Sequence, residues 1–250
     1  KKLATVAIGN SVKAIGEDTF LMCSSLAAVT IPDSVTAIGE RAFGGCDSLK
    51  VVAIGNSVMT IDDRAFYDCR KLATVTIPDS VTTIGKQAFG ECQSLGKVTI
   101  GNSVKRINND TFKGCVSLTT VTIGNSVTEI GDSVFEGCYN LNTVTIPDSV
   151  TEIGERAFDG CSSLVTVTIP ESVTIIDNST FANCSALVTV NIGNLVTEIG
   201  HYAFVECHSL IFTIPDSVTE IDERAFYGCH SLTTVTIPDS VKEIGEGVFE

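Results

Sequence analysis

Apolar positions recur along the chain with a period of 23 residues. Aligned on the leucine that opens each unit, the sequence gives Leu3, Leu26, Leu49, Leu72, Leu95, Leu118, Leu141, Leu164, Leu187, Leu210 and Leu232, nine steps of 23 residues and a last step of 22. Such a fixed period is the signature of a solenoid, in which each unit packs only on its neighbours. In the unit beginning at Leu141, inward Leu141, Val144 and Ile146 alternate with outward Thr143 and Thr145, which predicts a short strand. The sixth position is Ile in all eleven units and the seventh is Pro or Gly, so the strand ends there. Val at the tenth position and Ile at the thirteenth, as in Val150 and Ile153, predict a second short strand.

The fourteenth position is Gly in Gly16, Gly39, Gly85, Gly131, Gly154, Gly200 and Gly245, and Asp or Asn in Asp62, Asn108, Asp177 and Asp222. These residues tolerate positive φ best, so a left-handed residue is expected at that position. The following stretch, Glu155-Arg156-Ala157-Phe158 in the same unit, is expected to form one helical or 3₁₀ turn with Phe filling the interior. The expected architecture is therefore an α/β solenoid spanning residues 1–250 as one array of about eleven coils. Stacked coils would form a parallel sheet of one strand each, with the second strand and the helical turn on the other side. Neither end carries a recognisable cap, and the last unit stops at Phe249-Glu250 partway through. A piece of a longer array, or end coils packed on another domain or another copy, is expected.

The pattern L-x-x-V-x-I-P-x-S-V-x-x-I-G-x-x-A-F-x-x-C, quoted over Leu141 to Cys161, resembles the BspA-like leucine-rich repeat of bacterial and protist surface proteins. The resemblance covers essentially the whole chain. It implies a right-handed leucine-rich-repeat solenoid, in keeping with the right-handed preference of parallel crossovers. It also implies a role in adhesion or protein binding at the cell surface or outside the cell, and no particular ligand.

Composition narrows the function classes. Asp and Glu number 30 against 16 Lys and Arg, a formal charge of −14, which repels polyanions and argues against nucleic acid. No unbroken apolar run is long enough for a membrane span. The first residues enter the repeat directly, without the apolar stretch of a secretory signal, which leaves the compartment open, the cytoplasm included. Sequons at Asn109, Asn178 and Asn183 are close to what chance supplies.

Ten cysteines, Cys23 to Cys229, fall one per unit at one position and are expected to be buried free thiols, because parallel Cβ vectors in a ladder disfavour disulfides. No C-x-x-C pair suggests zinc. His208 and His230 follow the cysteine in successive units and should stack, while His201 lies elsewhere on the coil. With so few histidines and no Walker or dinucleotide glycine fingerprint, no catalytic constellation, cofactor or metal site is expected. Acidic side chains in the C-terminal half, Glu129, Glu152, Glu198, Glu220 and Glu243 with Asp148, Glu171, Asp216 and Asp239, suggest a solvated face, with Ca²⁺ as the alternative.

Two surface candidates stand out. The outward threonines form two columns, represented by Thr74, Thr76, Thr120, Thr122, Thr143, Thr145, Thr166 and Thr168. They are a solvated pleat by β-propensity alone. As a site they suggest protein binding, or ice binding by their resemblance to the Thr faces of β-solenoid antifreeze proteins, although Ala28, Val51 and Lys97 interrupt them. A rigid spacer is the third reading. The second candidate is an irregularity over residues 191–214, where Asn191 replaces Thr, Leu195 replaces Ser, and one residue is missing between Leu210 and Ile214, so that Phe212 takes the place of Val. It nominates Leu195, Tyr202, His208 and Phe212 as a contact patch.

Overall fold

The computed structural model describes residues 2–250 as a parallel β-solenoid of about ten turns. Coils are numbered here from 1 at Leu3 to 11 at Leu232. The main sheet takes one strand from each of eight consecutive coils, from Ala28–Thr30 to Thr189–Asn191. Pairing is parallel and in the register of the repeat, so that Thr120 opposes Thr143, Val121 opposes Val144 and Thr122 opposes Thr145. The second strands are two residues long and form three short ladders, Ala14–Ile15 to Thr83–Ile84, Arg106–Ile107 to Glu152–Ile153, and Ile175–Ile176 to Glu243–Ile244.

The expected helical or 3₁₀ turn is absent: no residue described is helical. The hydrogen bonds give the reason. In coil 2 the amides of Ala42, Gly44 and Cys46 bond back three residues, to Gly39, Arg41 and Phe43 at 3.1, 3.0 and 3.2 Å. The alternate amides of Arg41, Phe43 and Gly45 instead donate to Asp63, Ala65 and Tyr67 of the next coil, at 3.0, 2.8 and 2.8 Å. Every second donor is thus committed between coils, and a continuous i→i−3 ladder cannot form. The segment is a chain of tight turns that also stitches the stack together.

Left-handed residues accordingly lie at the sixteenth and twentieth positions, as in Arg41 at φ 50° and Gly45 at φ 64°, rather than at the fourteenth. Glycine at the fourteenth position answers to a different constraint. A Cβ on Gly85 would fall 2.3 Å from the Asp63 amide nitrogen of the preceding coil, and one on Gly154 would fall 2.4 Å from Asp132 Oδ1. The residue permits close approach of two backbones, not an unusual φ.

One continuous core runs from Ile15 to Val248. Its spine is a column of phenylalanines, Phe43 to Phe226, buried to within 1% and stacked at ring-centroid distances such as 5.1 Å for Phe43 and Phe66. Burial of each ring contributes about 2–3 kcal/mol, and offset stacking adds about 0.5–1.5 kcal/mol. Beside it run the cysteines, all free and buried. Each thiol from Cys46 to Cys229 donates to the Phe carbonyl of the coil before it, as Cys69 does to Phe43 at 3.2 Å. Burial pushes the thiols from Cys69 to Cys229 above their ordinary range, Cys229 up to about 12. At the array ends the same apolar positions are partly open, at 39% for Leu3 and 44% for Phe249.

Candidate functional site

The outward face of the main sheet is built by strand alternation. Val121 and Val144 point into the core, so their neighbours Thr120, Thr122, Thr143 and Thr145 stand on the surface. All eight threonines singled out in the sequence are exposed there and share two columns. Thr120, Thr143 and Thr166 follow one another in register, as do Thr76, Thr99 and Thr122. Among the described residues, the hydroxyls of Thr74, Thr76, Thr120, Thr122, Thr145 and Thr166 have no hydrogen-bond partner within the chain, and so face solvent with both donor and acceptor capacity unused.

A groove of about 540 Å³ runs beside this face, between Thr76, Thr99 and Thr122 on one side and Asp79, Asn102 and Asn125 on the other. Its second wall has a structural origin that the sequence reading missed. Asp79 Oδ1 accepts the Asn102 amide at 2.7 Å, and Asn102 Oδ1 accepts the Asn125 amide at 3.0 Å. The same bond links Asp33 to Asn56 at 2.7 Å and Glu171 to Asn194 at 3.0 Å. The signal was present, because the eighth position is Asp, Asn or Glu in every unit, always a side-chain acceptor. Among its acidic members, Asp33, Asp79 and Glu171 act as staples between coils.

The four residues nominated around the irregularity do not assemble. Phe212 is 7% exposed and lies in the core, tilted at 44° to Phe204 and 46° to Phe226, where its ring fills the place of a valine. Leu195 is 56% exposed on the turn after the strand. It stands where Ser172 and Ser217 donate to Val150 and Val196 of the preceding coil, a bond leucine cannot make. Tyr202 is half-buried, donating to Glu223 and accepting from Arg224 at 3.2 Å each. His208 stacks on His230 as the spacing predicts, with centroids 5.0 Å apart and planes within 2°. These positions lie at separate points around the coil, so repetition in sequence does not make them one patch.

The irregularity acts on the strand face instead. The residue lost after Leu210 shifts Ile211 into the Thr column, where it bridges to Thr189 and is 65% exposed. The main sheet ends there, since the shortened unit forms only this one bridge.

On the second-strand side, Glu198, Glu220 and Glu243 are in register, as are Glu129 and Glu152, and Arg106 pairs with Glu129. Burial, then the carboxylates of Asp222, Glu220 and Asp177, push Glu198 above the ordinary carboxylate range. Among the described residues no three His, Cys, Asp or Glu side chains are arranged to hold a metal ion. No helix described is long and apolar enough to cross a membrane.

A stack of coils with one parallel strand each, an opening leucine and a buried spine defines a leucine-rich-repeat solenoid. The chain belongs to the BspA type leucine-rich repeat family, whose profile matches in six copies over residues 1–119, 86–211 and 211–250. Among solved structures it is similar to a leucine rich cell surface protein from Faecalibacterium prausnitzii, with 31% identity and TM-score 0.59 over 96% of this chain and 81% of that one. It is also similar to a leucine-rich repeat protein from Bacteroides ovatus, with 28% identity and TM-score 0.53 over 94% and 78%. The pneumococcal vaccine antigen PcpA shares the fold, with 21% identity and TM-score 0.60 over 98% and 75%. A search of curated proteins gives no match.

Proposed function

We propose that the chain is a non-catalytic protein-binding module of a surface or secreted protein, and that it binds through the outward face of the main sheet. The single observation that carries this reading is a charge asymmetry. On the main sheet no Asp or Glu occupies an outward strand position, at the third or fifth place of any unit, or the second place just before it, although the chain holds 30 of them. In a chain of net charge −14, this is the face a partner can approach without meeting carboxylates. The unpaired Thr hydroxyls and the adjoining groove add polar contacts and relief, and the family is generally one of interaction modules. The similarity to a cell surface protein of F. prausnitzii supports the location.

Uninterrupted T-x-T strands run over only three coils, Thr120–Thr122, Thr143–Thr145 and Thr166–Thr168. Lys97 interrupts on one side and Asn191 on the other, which favours a partner that reads side-chain variation over a repeating ice lattice.

A phage-displayed library of random 15-residue peptides, selected on the immobilised chain, tests the reading. Selected clones should lose binding to the double variant Thr122→Tyr/Thr145→Tyr, whose added rings cover the middle of the face. Clones that bind wild type and variant equally would refute it.

A further inference from the structure

Resting on that reading of the strand face, we propose the chemistry of its ligand: an extended peptide segment, acidic at one end and aliphatic or aromatic at the other, lying along the solenoid axis. Two features of this chain alone, not of the repeat, carry the inference.

The first is a pair of uncompensated cations. On the main-sheet face, Lys97 is the one charged residue at an outward strand position, and Lys50, two coils away, directly precedes the strand Val51–Ala53. Both are exposed, and among the described residues neither forms an ion pair. Arg41, Arg70, Arg106, Lys113 and Arg224 do so with neighbouring carboxylates, and other cations without an ion pair, such as Lys13 and Lys105, lie at other places of the repeat. Two lysines on a carboxylate-free face suit a short run of acidic side chains, and are too few to hold a polyanion against the overall charge.

The second feature is an apolar stripe three coils further on. Val165, Val188 and Ile211 lie on successive coils, joined by backbone bonds of 2.9 Å from Val188 to Val165 and from Ile211 to Val188. Val165 is 46% exposed, Val188 half-buried and Ile211 65% exposed. Elsewhere this edge carries Ala27, Ala73, Gly96, Thr119 or Asn142, small or polar residues that leave little apolar surface to cover. Three branched aliphatic residues in a row are an exposed apolar patch, and covering them removes that surface from water. Ile211 also bridges to Thr189, so the stripe ends against the Thr column.

The two features are separated by a fixed distance. From Lys97 in coil 5 to Val165 in coil 8 is three coils, roughly 15 Å at the spacing of paired strands, which an extended peptide covers in about five residues. The intervening surface is Thr120, Thr122, Thr143 and Thr145, whose hydroxyls suit the backbone of a peptide crossing them.

The experiment uses a fluorescein-labelled synthetic peptide with three Glu residues, a five-residue Gly-Ser spacer and the tripeptide Leu-Phe-Ile, made in both chain directions. Fluorescence anisotropy with the full chain should show saturable binding of at least one direction. The pair Lys50→Glu/Lys97→Glu should weaken it about tenfold or more and remove its salt dependence; the pair Val188→Thr/Ile211→Thr should weaken it about tenfold while leaving the salt dependence. Lys50, Lys97 and Ile211 are exposed and Val188 is half-buried, and unchanged thermal melting verifies the fold. Failure of both peptides to bind, or equal affinity for wild type and both variant pairs, overturns the ligand assignment. If library clones still depend on Thr122 and Thr145 in that case, the strand face stands and only its ligand chemistry is refuted; if none do, both readings fall.

Discussion

The Cys69 thiol donates to the carbonyl oxygen of Phe43 in the coil before it, at 3.2 Å, and the same oxygen accepts the amide of Cys46 at 3.2 Å. One carbonyl thus closes a turn within its own coil and receives the next coil through sulfur. The cysteine column is consequently a row of hydrogen-bond donors sized for an apolar slot. Alanine would leave the carbonyl short of a partner and a void beside it. Cys115→Ala, in the middle of the array and fully buried, is expected to cost about 1–2 kcal/mol from the lost volume and bond together. Urea denaturation followed by circular dichroism measures it, and a cost indistinguishable from zero would remove the donor role.

Thiol reactivity should report folding directly. All ten cysteines are buried, and burial raises the thiols from Cys69 to Cys229 above their ordinary range, which keeps them protonated. Because the thiolate is the reactive species, the native chain should react with a disulfide reagent at neutral pH no faster than it unfolds. In denaturant, ten thiols per chain should titrate promptly. Rapid labelling of several cysteines in the native state would contradict the packing described.

Glycine positions differ in what they exclude, and two alanine substitutions separate the cases. A Cβ on Gly124 would sit 2.3 Å from the Gly101 carbonyl oxygen, a backbone atom with nowhere to go, whereas Gly9 has open space around its Cβ direction. Gly124→Ala should therefore destabilise by about 1–3 kcal/mol, and Gly9→Ala should be nearly neutral. Comparison of their thermal midpoints decides the matter. Equal effects would mean that close approach between coils is not what fixes glycine.

The acidic ladder gives a pH dependence with a definite sign. Glu198 binds its proton more tightly in the folded chain than in the unfolded one, because burial and then Asp222, Glu220 and Asp177 oppose its charge. A carboxyl raised in this way favours folding as pH falls through its folded value and costs stability above it. Glu198→Gln should then raise the melting temperature at pH 7 by about 1–2 °C, a figure reduced for partial solvent exposure. The gain should vanish toward about pH 4, where the wild-type group is itself protonated. A lower melting temperature at pH 7 would show that the column is held by attraction and not strained by repulsion.

What the sequence determined by itself was the stacking. Side chains 23 apart lie over one another because a repeat that cannot bury Leu, Val, Ile and Phe alone is driven to cover them with its neighbour, and that demand is written in the spacing of Leu141, Val144, Ile146 and Phe158. The Thr columns and the His208–His230 stack follow from the same arithmetic. The turn after the second strand was not legible in this way. Its form depends on whether the Arg41 and Phe43 amides bond inside their own coil or to the next, and both options suit the same residues. Only the packed neighbour decides between them, by offering carbonyls at the right height. The irregular coil was located by sequence, but whether the displaced residue turns in or out was settled by volume: Phe212 fits the interior beside Phe204 and Phe226, and Ile211 is left on the surface. Periodicity fixes which residues are stacked, and the space and hydrogen-bond partners between coils fix how each one is used.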